Sequence, residues 1–412
     1  MRKRKSDLRL LVGAACASAL MIVVAACSSS PAKPASTDAG APADSAASSA
    51  AAAAAGVDPH AGHDHSGTPA PTSPLRPGEH FQNLSMARSY TPSAPNGGTD
   101  EYRCLVVDPH LTKAQYLVGT QFQPGNVPIV HHAVVFAIPP EDAAAARAKD
   151  AASGGNGWTC FGNDVVGPNS REAWVDTWTP NGAEVLLQQD VGFALKPGSL
   201  LVMQIHYNLL ATGGQTGSSD LSSVRLRLTD GTAATKPLTT LGLSAPIELP
   251  CAAGETGPLC DRAAAVADVE KRFGPDRLTE DELLKECGNG TPVPGNTQHC
   301  DLPVPANITV YAALGHMHLL GRAIKVELNP GTPNAKTLLD VPNFDFDNQK
   351  ITPMPSPVSI KKGDTLRVTC THDASLHQLL PQLKTLPPRY VVWGDGTSDE
   401  MCLGLLTVSV DK

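Results

Sequence analysis

The sequence predicts an all-β protein: two antiparallel β-sandwich domains of jelly-roll type, with a disulfide-framed, partly helical insertion in the second. Three observations carry this. Glycine and proline are abundant, 36 of each, while aromatic residues make up only 4% of the chain, so turns are many and large core side chains few. Valine and threonine recur in short runs that alternate apolar with polar residues, the pattern of half-buried strands. Turn signals such as Gln123-Pro-Gly-Asn126 and Lys196-Pro-Gly198 separate these runs. At 412 residues the chain is long enough for two or more domains.

The N-terminus reads as an address. Met1-Arg-Lys-Arg-Lys5 is a positive segment, followed by an apolar stretch from Leu8 to Ala26 that ends Val24-Ala-Ala-Cys27. This looks like a bacterial lipobox, which makes residues 1–26 a signal peptide and Cys27 the acylated first residue of the mature chain. An uncleaved membrane anchor is the rival reading; the small residues before Cys27 and the serines after it favour the lipoprotein. Ser28 rather than Asp after the lipid site points to an outer-membrane or cell-surface location in a bacterial envelope, with membrane contact through the lipid alone. Residues 27–78 are rich in Ala, Ser, Pro and Gly. They bury too little surface to offset chain entropy and are expected to form a flexible tether. His60, His63 and His65 lie in it; such a tract can capture metal, but incidental histidines in a solvated linker explain it equally well.

The first folded domain is expected over residues 79–221, with strands at Arg103–Val107, Gln115–Phe122, Val130–Ala137, Val185–Gln189 and Leu200–His206. The second is expected over 222–412. It opens with the alternating Val224–Thr229 and continues through Ile308–Leu314, Ala323–Leu328, Val358–Lys361, Thr365–Thr371, Val391–Trp393 and Leu403–Val410. Residues 251–300 break the pattern. Asp261–Phe273 and Leu278–Cys287 have helical composition, and Thr279-Glu-Asp-Glu282 resembles a helix start. Cys251, Cys260, Cys287 and Cys300 frame this insertion as two disulfides in one of three pairings. A zinc site is disfavoured because no C-x-x-C spacing occurs. Beyond Cys16 and Cys27, eight cysteines remain, an even number that suits an oxidising compartment.

Formal net charge is −8. Without residues 1–26, 27 basic and 39 acidic residues remain, a balance of −12. Nucleic acid is excluded as a partner, since phosphate binding needs a basic face.

Candidate chemistry concentrates in four short segments: His131-His132, His206-Tyr207, His316-Met317-His318 and Met401-Cys402. A lone strand histidine is usually structural and a lone methionine is usually packing. His316 and His318, however, point to one face of a strand, flanked by Ala312, Leu314, Leu319 and Leu320. Five imidazoles and one thioether are enough for two three-ligand sites, and the soft thioether favours Cu(I) over harder metals. Adjacent strand residues point to opposite faces, so His131 and His132 can share a metal only at a strand end or bulge. Pro124, Gly125 and Pro128 make an irregular lead-in.

The contexts of these residues carry a resemblance. Glu101-Tyr-Arg-Cys104, Val130-His-His-Ala-Val-Val-Phe136 and Val202-Met-Gln-Ile-His-Tyr207 are followed by Gly315-His-Met-His-Leu-Leu-Gly321, Lys362-Gly-Asp-Thr-Leu-Arg-Val-Thr-Cys370 and Gly396-Thr-Ser-Asp-Glu-Met-Cys402. In this order they resemble the copper type II, ascorbate-dependent monooxygenases, the family of peptidylglycine α-hydroxylating and dopamine β-monooxygenases. The resemblance implies two jelly-roll domains and two copper ions. One copper would be held by His131, His132 and His206 and would store an electron. The other, held by His316, His318 and Met401, would be the catalytic site where dioxygen reacts. It also implies disulfides Cys104–Cys160 and Cys370–Cys402, the latter pinning the neighbour of Met401. The implied reaction hydroxylates an unactivated C–H bond with dioxygen and an external reductant, ascorbate in the animal enzymes. Gln204 and Tyr102 are candidate supporting residues around the first site. His372 and His377 are weaker candidates near the cleft. The peptide-amidating members carry polar groups where this chain has Leu314, Leu403 and Leu405, so a small neutral or apolar substrate is expected in place of a peptide carboxylate. The alternative is a non-enzymatic lipoprotein that binds or delivers copper, which the histidine-rich tether would suit.

Overall fold

The computed structural model describes residues 71–93, 100–160, 165–167, 170–180, 182–209, 217–273 and 278–411. The expected signal peptide, Cys27, most of the expected tether and His60, His63 and His65 lie outside the described residues. Among the described residues no helix is long and apolar enough to cross a membrane.

The chain is all-β, as expected. In chain order the strands are β1 (Glu79–Ser85), β2 (Asp100–Val107), β3 (Gln115–Gln123), β4 (Val130–Ile138), β5 (Trp158–Thr159), β6 (Ala173–Trp178), β7 (Val185–Leu186), β8 (Val191–Leu195), β9 (Leu200–Asn208), β10 (Ser223–Thr229) and β11 (Lys236–Pro237). There follow β12 (Thr239–Ser244), β13 (Thr297–Pro303), β14 (Ile308–His316), β15 (Gly321–Leu328), β16 (Lys336–Val341), β17 (Thr352–Ile360), β18 (Thr365–His372) and β19 (Leu403–Val410). The helices are α1 (Pro140–Ala152), α2 (Arg262–Phe273), α3 (Glu280–Cys287) and the short α4 (Leu376–Leu379).

Four sheets result. Their orders are β1-β10-β3-β8-β11, with β7 beside β3; β5-β2-β9-β4-β6; β12-β19-β14-β17; and β13-β18-β15-β16. The first two sheets share one core, in which Leu117, Phe122, Val224 and Leu226 meet Val135, Met203 and Ile205. The last two approach closely: a Cβ at Gly404 would lie 2.8 Å from Val326 Cγ2 and 3.4 Å from Val368 Cγ2. Strand pairing is antiparallel apart from the short β8–β11 contact.

Local sequence explains the best-defined elements. The alternating burial of β13 and β18 follows their alternating sequence. Strand β9 lies between β2 and β4 with apolar clusters on both faces, so it reads as a nearly continuous apolar run. Helix α3 opens with the expected capping box, Thr279 and Glu282 bonding each other's backbone N–H. The two insertion disulfides are Cys251–Cys260 and Cys287–Cys300, and the other two are Cys104–Cys160 and Cys370–Cys402.

The boundary at 221/222 needs correction. Strand β10 does not open the second sandwich; it pairs with β1 and β3 and completes the first. The tether also ends earlier than expected. Arg227, fully buried, donates to the carbonyls of Ser73 and Pro74 and pairs with Glu79 and Glu184. A buried guanidinium must find such acceptors, and it recruits the chain from Ser73 onward. Val391–Trp393 forms only isolated bridges to Leu249 and Glu400. Helix α1 went unexpected, although its N1 Pro140, acidic first turn and alanine run are helix signals.

Candidate metal centre

The first histidine set sits where β4 meets β9. His132 lies opposite His206, and the pairing register slips between Val130 and His132. That bulge is the irregularity that two adjacent histidines need to face one point. Their ligand atoms and those of His206 all lie within 4.8 Å of one another. The ring centroids of His131 and His132 are 5.1 and 4.7 Å from that of His206. Tyr102, opposite His206 on β2, stacks on its ring at 4.2 Å with planes 4° apart. Gln204 shares the strand face of His206 but donates from Nε2 to the Cys160 sulfur at 3.7 Å.

The second set lies at the end of β14. His316 closes the strand and His318 follows, their ring centroids 5.2 Å apart. Gly315 is required by close packing, since a Cβ there would fall 2.5 Å from Ile324 Cγ2. His316 pairs with Leu403 across the sheet, which carries Met401, two residues earlier, past the same strand end. Glu400, fully buried, clamps this corner. Its carboxylate accepts from the backbone N–H of His318 (2.8 Å), Leu320 (2.6 Å) and Met401 (3.2 Å). Burial alone would raise its pKa, but the hydrogen bond and charge of His372 and the neighbouring His318 hold it below the usual value. Glu400 appeared in the sequence only as part of a motif; nothing local marked it as the clamp.

The weaker candidates resolve differently. His372 is buried with Nε2 3.4 Å from Glu400, so it supports the clamp. His377 Nδ1 lies 2.7 Å from Glu255 of the insertion and belongs to that contact.

The loop between β16 and β17 touches both sets. Asp347 Oδ1 is 2.9 Å from His131 Nε2. Gln349 Oε1 is 2.6 Å from His316 Nδ1. The Phe346 ring lies 5.2 Å from the His131 ring and 6.2 Å from the His318 ring.

The donor set fits copper. Buried His132 is pushed well below its ordinary pKa by burial and by the surrounding imidazoles, and His316 is pushed down to about 3 by burial and by His318. Both rings are neutral at physiological pH, the form that ligates. Carbonyl and carboxylate partners accept from one ring nitrogen each of His131, His316 and His318, leaving the other for a metal.

Residues 296–407 match a family described as copper type II ascorbate-dependent monooxygenase, C-terminal domain. By this match residues 296–407 are similar to the C-terminal domain of that family. The matched segment contains His316, His318 and Met401; the first histidine set lies outside it. A Homo sapiens protein named by likeness, DBH-like monooxygenase protein 2, is 37% identical over 103 residues. The match takes in 24% of this chain and spans 18% of that relative's length. Among solved structures, the major capsid protein P2 of Bacteriophage PM2 matches at TM-score 0.31 and 10% identity, over 81% of this chain and 98% of that one. The 7S globulin of Momordica charantia matches at TM-score 0.13 and 8% identity, over 85% and 83%. At these scores neither likeness carries an argument.

Proposed function

We propose that the chain is a copper-dependent monooxygenase that hydroxylates a C–H bond of a small, neutral or apolar substrate, using dioxygen and an external reductant such as ascorbate. The observation that carries this is the convergence of two histidine sets on one loop, with Met401 at the corner of the second. His131, His132 and His206 would hold one copper, and His316, His318 and Met401 the other. Bound copper supplies the one-electron and dioxygen chemistry. The protein's own residues prepare for it. Burial keeps His132 and His316 neutral, Glu400 holds the His318–Met401 corner, and the soft Met401 sulfur favours Cu(I) at that site.

The substrate class rests on Leu314 and Leu405. Both are buried, facing Trp174, Thr240, Ile351 and Thr407 across a void no larger than a water molecule between the sandwiches, two residues from His316. Neither offers a charge to a carboxylate. The strand orders support the jelly-roll reading. Without the short β5, β7 and β11, each sandwich places its eight strands first-eighth-third-sixth and second-seventh-fourth-fifth. Lipid anchoring at Cys27 and delivery to the outer membrane or cell surface are proposed from the N-terminal pattern.

The test is elemental analysis after copper reconstitution and desalting, followed by oxygen uptake with ascorbate and small apolar substrates. Two coppers per chain and uptake coupled to product are expected. One copper, or zinc retained in its place, would sink the two-site reading. Two coppers without uptake under any condition would favour the copper-delivery alternative.

A further inference from the structure

Asp347 and Gln349 lie two residues apart in the loop between β16 and β17, in the second sandwich. Asp347 reaches across to His131, on β4 of the first sandwich, at 2.9 Å. Gln349 reaches His316 of its own sandwich at 2.6 Å. The orientation of Gln349 is determined on the other side of its amide, where Nε2 donates to the Phe346 carbonyl at 2.8 Å. Its oxygen therefore faces His316 and accepts from Nδ1–H, leaving Nε2 of His316 for a ligand role. The Asp347 carboxylate likewise accepts from His131 Nε2–H and leaves Nδ1. The Asp347 side chain is 10% exposed and that of His131 9%, so water competes little for this bond. The Asp347 backbone N–H donates to Asp345 Oδ1 at 3.1 Å, and the amide of Gln349 spans the turn back to Phe346, so the loop braces itself.

Resting on the copper reading above, we propose that Asp347 is a positioning residue for the first copper site, supplied by the other sandwich, and that Gln349 plays the same part for the second. One loop then sets a ring orientation in each site. The first set is complete only when the two sandwiches are docked. A carboxylate behind a ligating imidazole holds its tautomer and raises its basicity, and loss of such a partner costs about 10–100-fold in metal affinity.

The test uses the full chain carrying His318→Ala, so that the second site is weakened and the first is read by itself, with Cu(II) as the only probe. Cu(II) affinity is measured by competition with a chromogenic chelator, and the copper environment by electron paramagnetic resonance. Asp347→Ala should lower affinity by about 10–100-fold and shift the copper hyperfine splitting. Asp347→Asn keeps an acceptor oxygen and should recover most of the affinity and the parental splitting. Thermal unfolding of the copper-free variants checks that each is folded. Parental affinity and spectrum in Asp347→Ala overturn this inference alone. Equal losses in the Ala and Asn variants also overturn it, since the carboxylate's charge and not its orienting bond would then matter. A wild-type chain that binds no copper overturns this inference and the copper reading together.

Discussion

Met401 and Glu400 are neighbours with different work. Glu400 spends its carboxylate on three backbone N–H groups and on His372; Met401 offers a buried thioether at the same corner. Imidazoles hold Cu(II) well without sulfur, while sulfur favours the reduced ion. Met401→Ile keeps similar bulk beside the Cys370–Cys402 bridge. It is expected to retain two Cu(II) by elemental analysis and to lose most of the oxygen uptake coupled to product. His318→Ala is expected to lose the second copper or to bind it far more weakly. Normal turnover in Met401→Ile would make Met401 a packing residue and place the oxygen chemistry elsewhere. The ligand candidates were legible in the sequence because H-x-H and H-H are rare in apolar strands. Glu400, Asp347 and Gln349 were not, because a carboxylate or amide in a turn looks like any other until the fold shows what it reaches.

At the scale of elements, the insertion is tied to the second site from outside. Arg272 of α2 makes two hydrogen bonds to the Asp399 carboxylate, and the Asp399 carbonyl lies 3.2 Å from His318 Nδ1. Glu248 takes a bidentate bond from Arg262 and one from the Tyr390 hydroxyl. Beside it, Glu280 at the start of α3 accepts from the N–H groups of Ile247 and Trp393. Burial, reinforced by the Glu248 carboxylate, raises the Glu280 pKa above its ordinary 4.5. A raised carboxyl binds a proton more tightly in the folded chain, so its linked stability falls as pH rises from the ordinary carboxyl range toward the folded value. Wild-type stability is expected to decline over that window by on the order of 1 kcal/mol or more. Glu280→Gln should remove the decline. Thermal unfolding against pH checks this, and an unchanged slope in the variant would refute the linkage. Sequence composition revealed the insertion and its helices; the pairing of its cysteines needed the fold, since four cysteines in one segment satisfy any of three pairings.

For the whole molecule, the two sandwiches meet through side chains that belong to neither core alone. Tyr311 of β14 packs into the first core, Thr240 donates to the Trp174 carbonyl, and Gln188 donates to that of Met354. This docking brings Asp347 to His131 and closes the void beside Leu314. The N-terminal pattern concerns the same scale, because acylation at Cys27 would set where the whole protein works. Metabolic lipid labelling of the wild type is expected to mark the mature chain, and Cys27→Ser should show no incorporation. Label persisting in that variant would refute acylation at Cys27.

The sequence by itself determined the all-β class, the insertion, the candidate ligand residues and the even cysteine count. Each of these is written in local pattern: alternation, turn residues, ligand spacing and composition. Only the tertiary structure decided that β10 closes the first sandwich, that His131 sits in a bulge, and that one loop serves both histidine sets. Those features depend on which distant strands pair and which side chains meet across the interface. The free energy of such contacts is spread over residues far apart in the chain, so no short window of sequence records it.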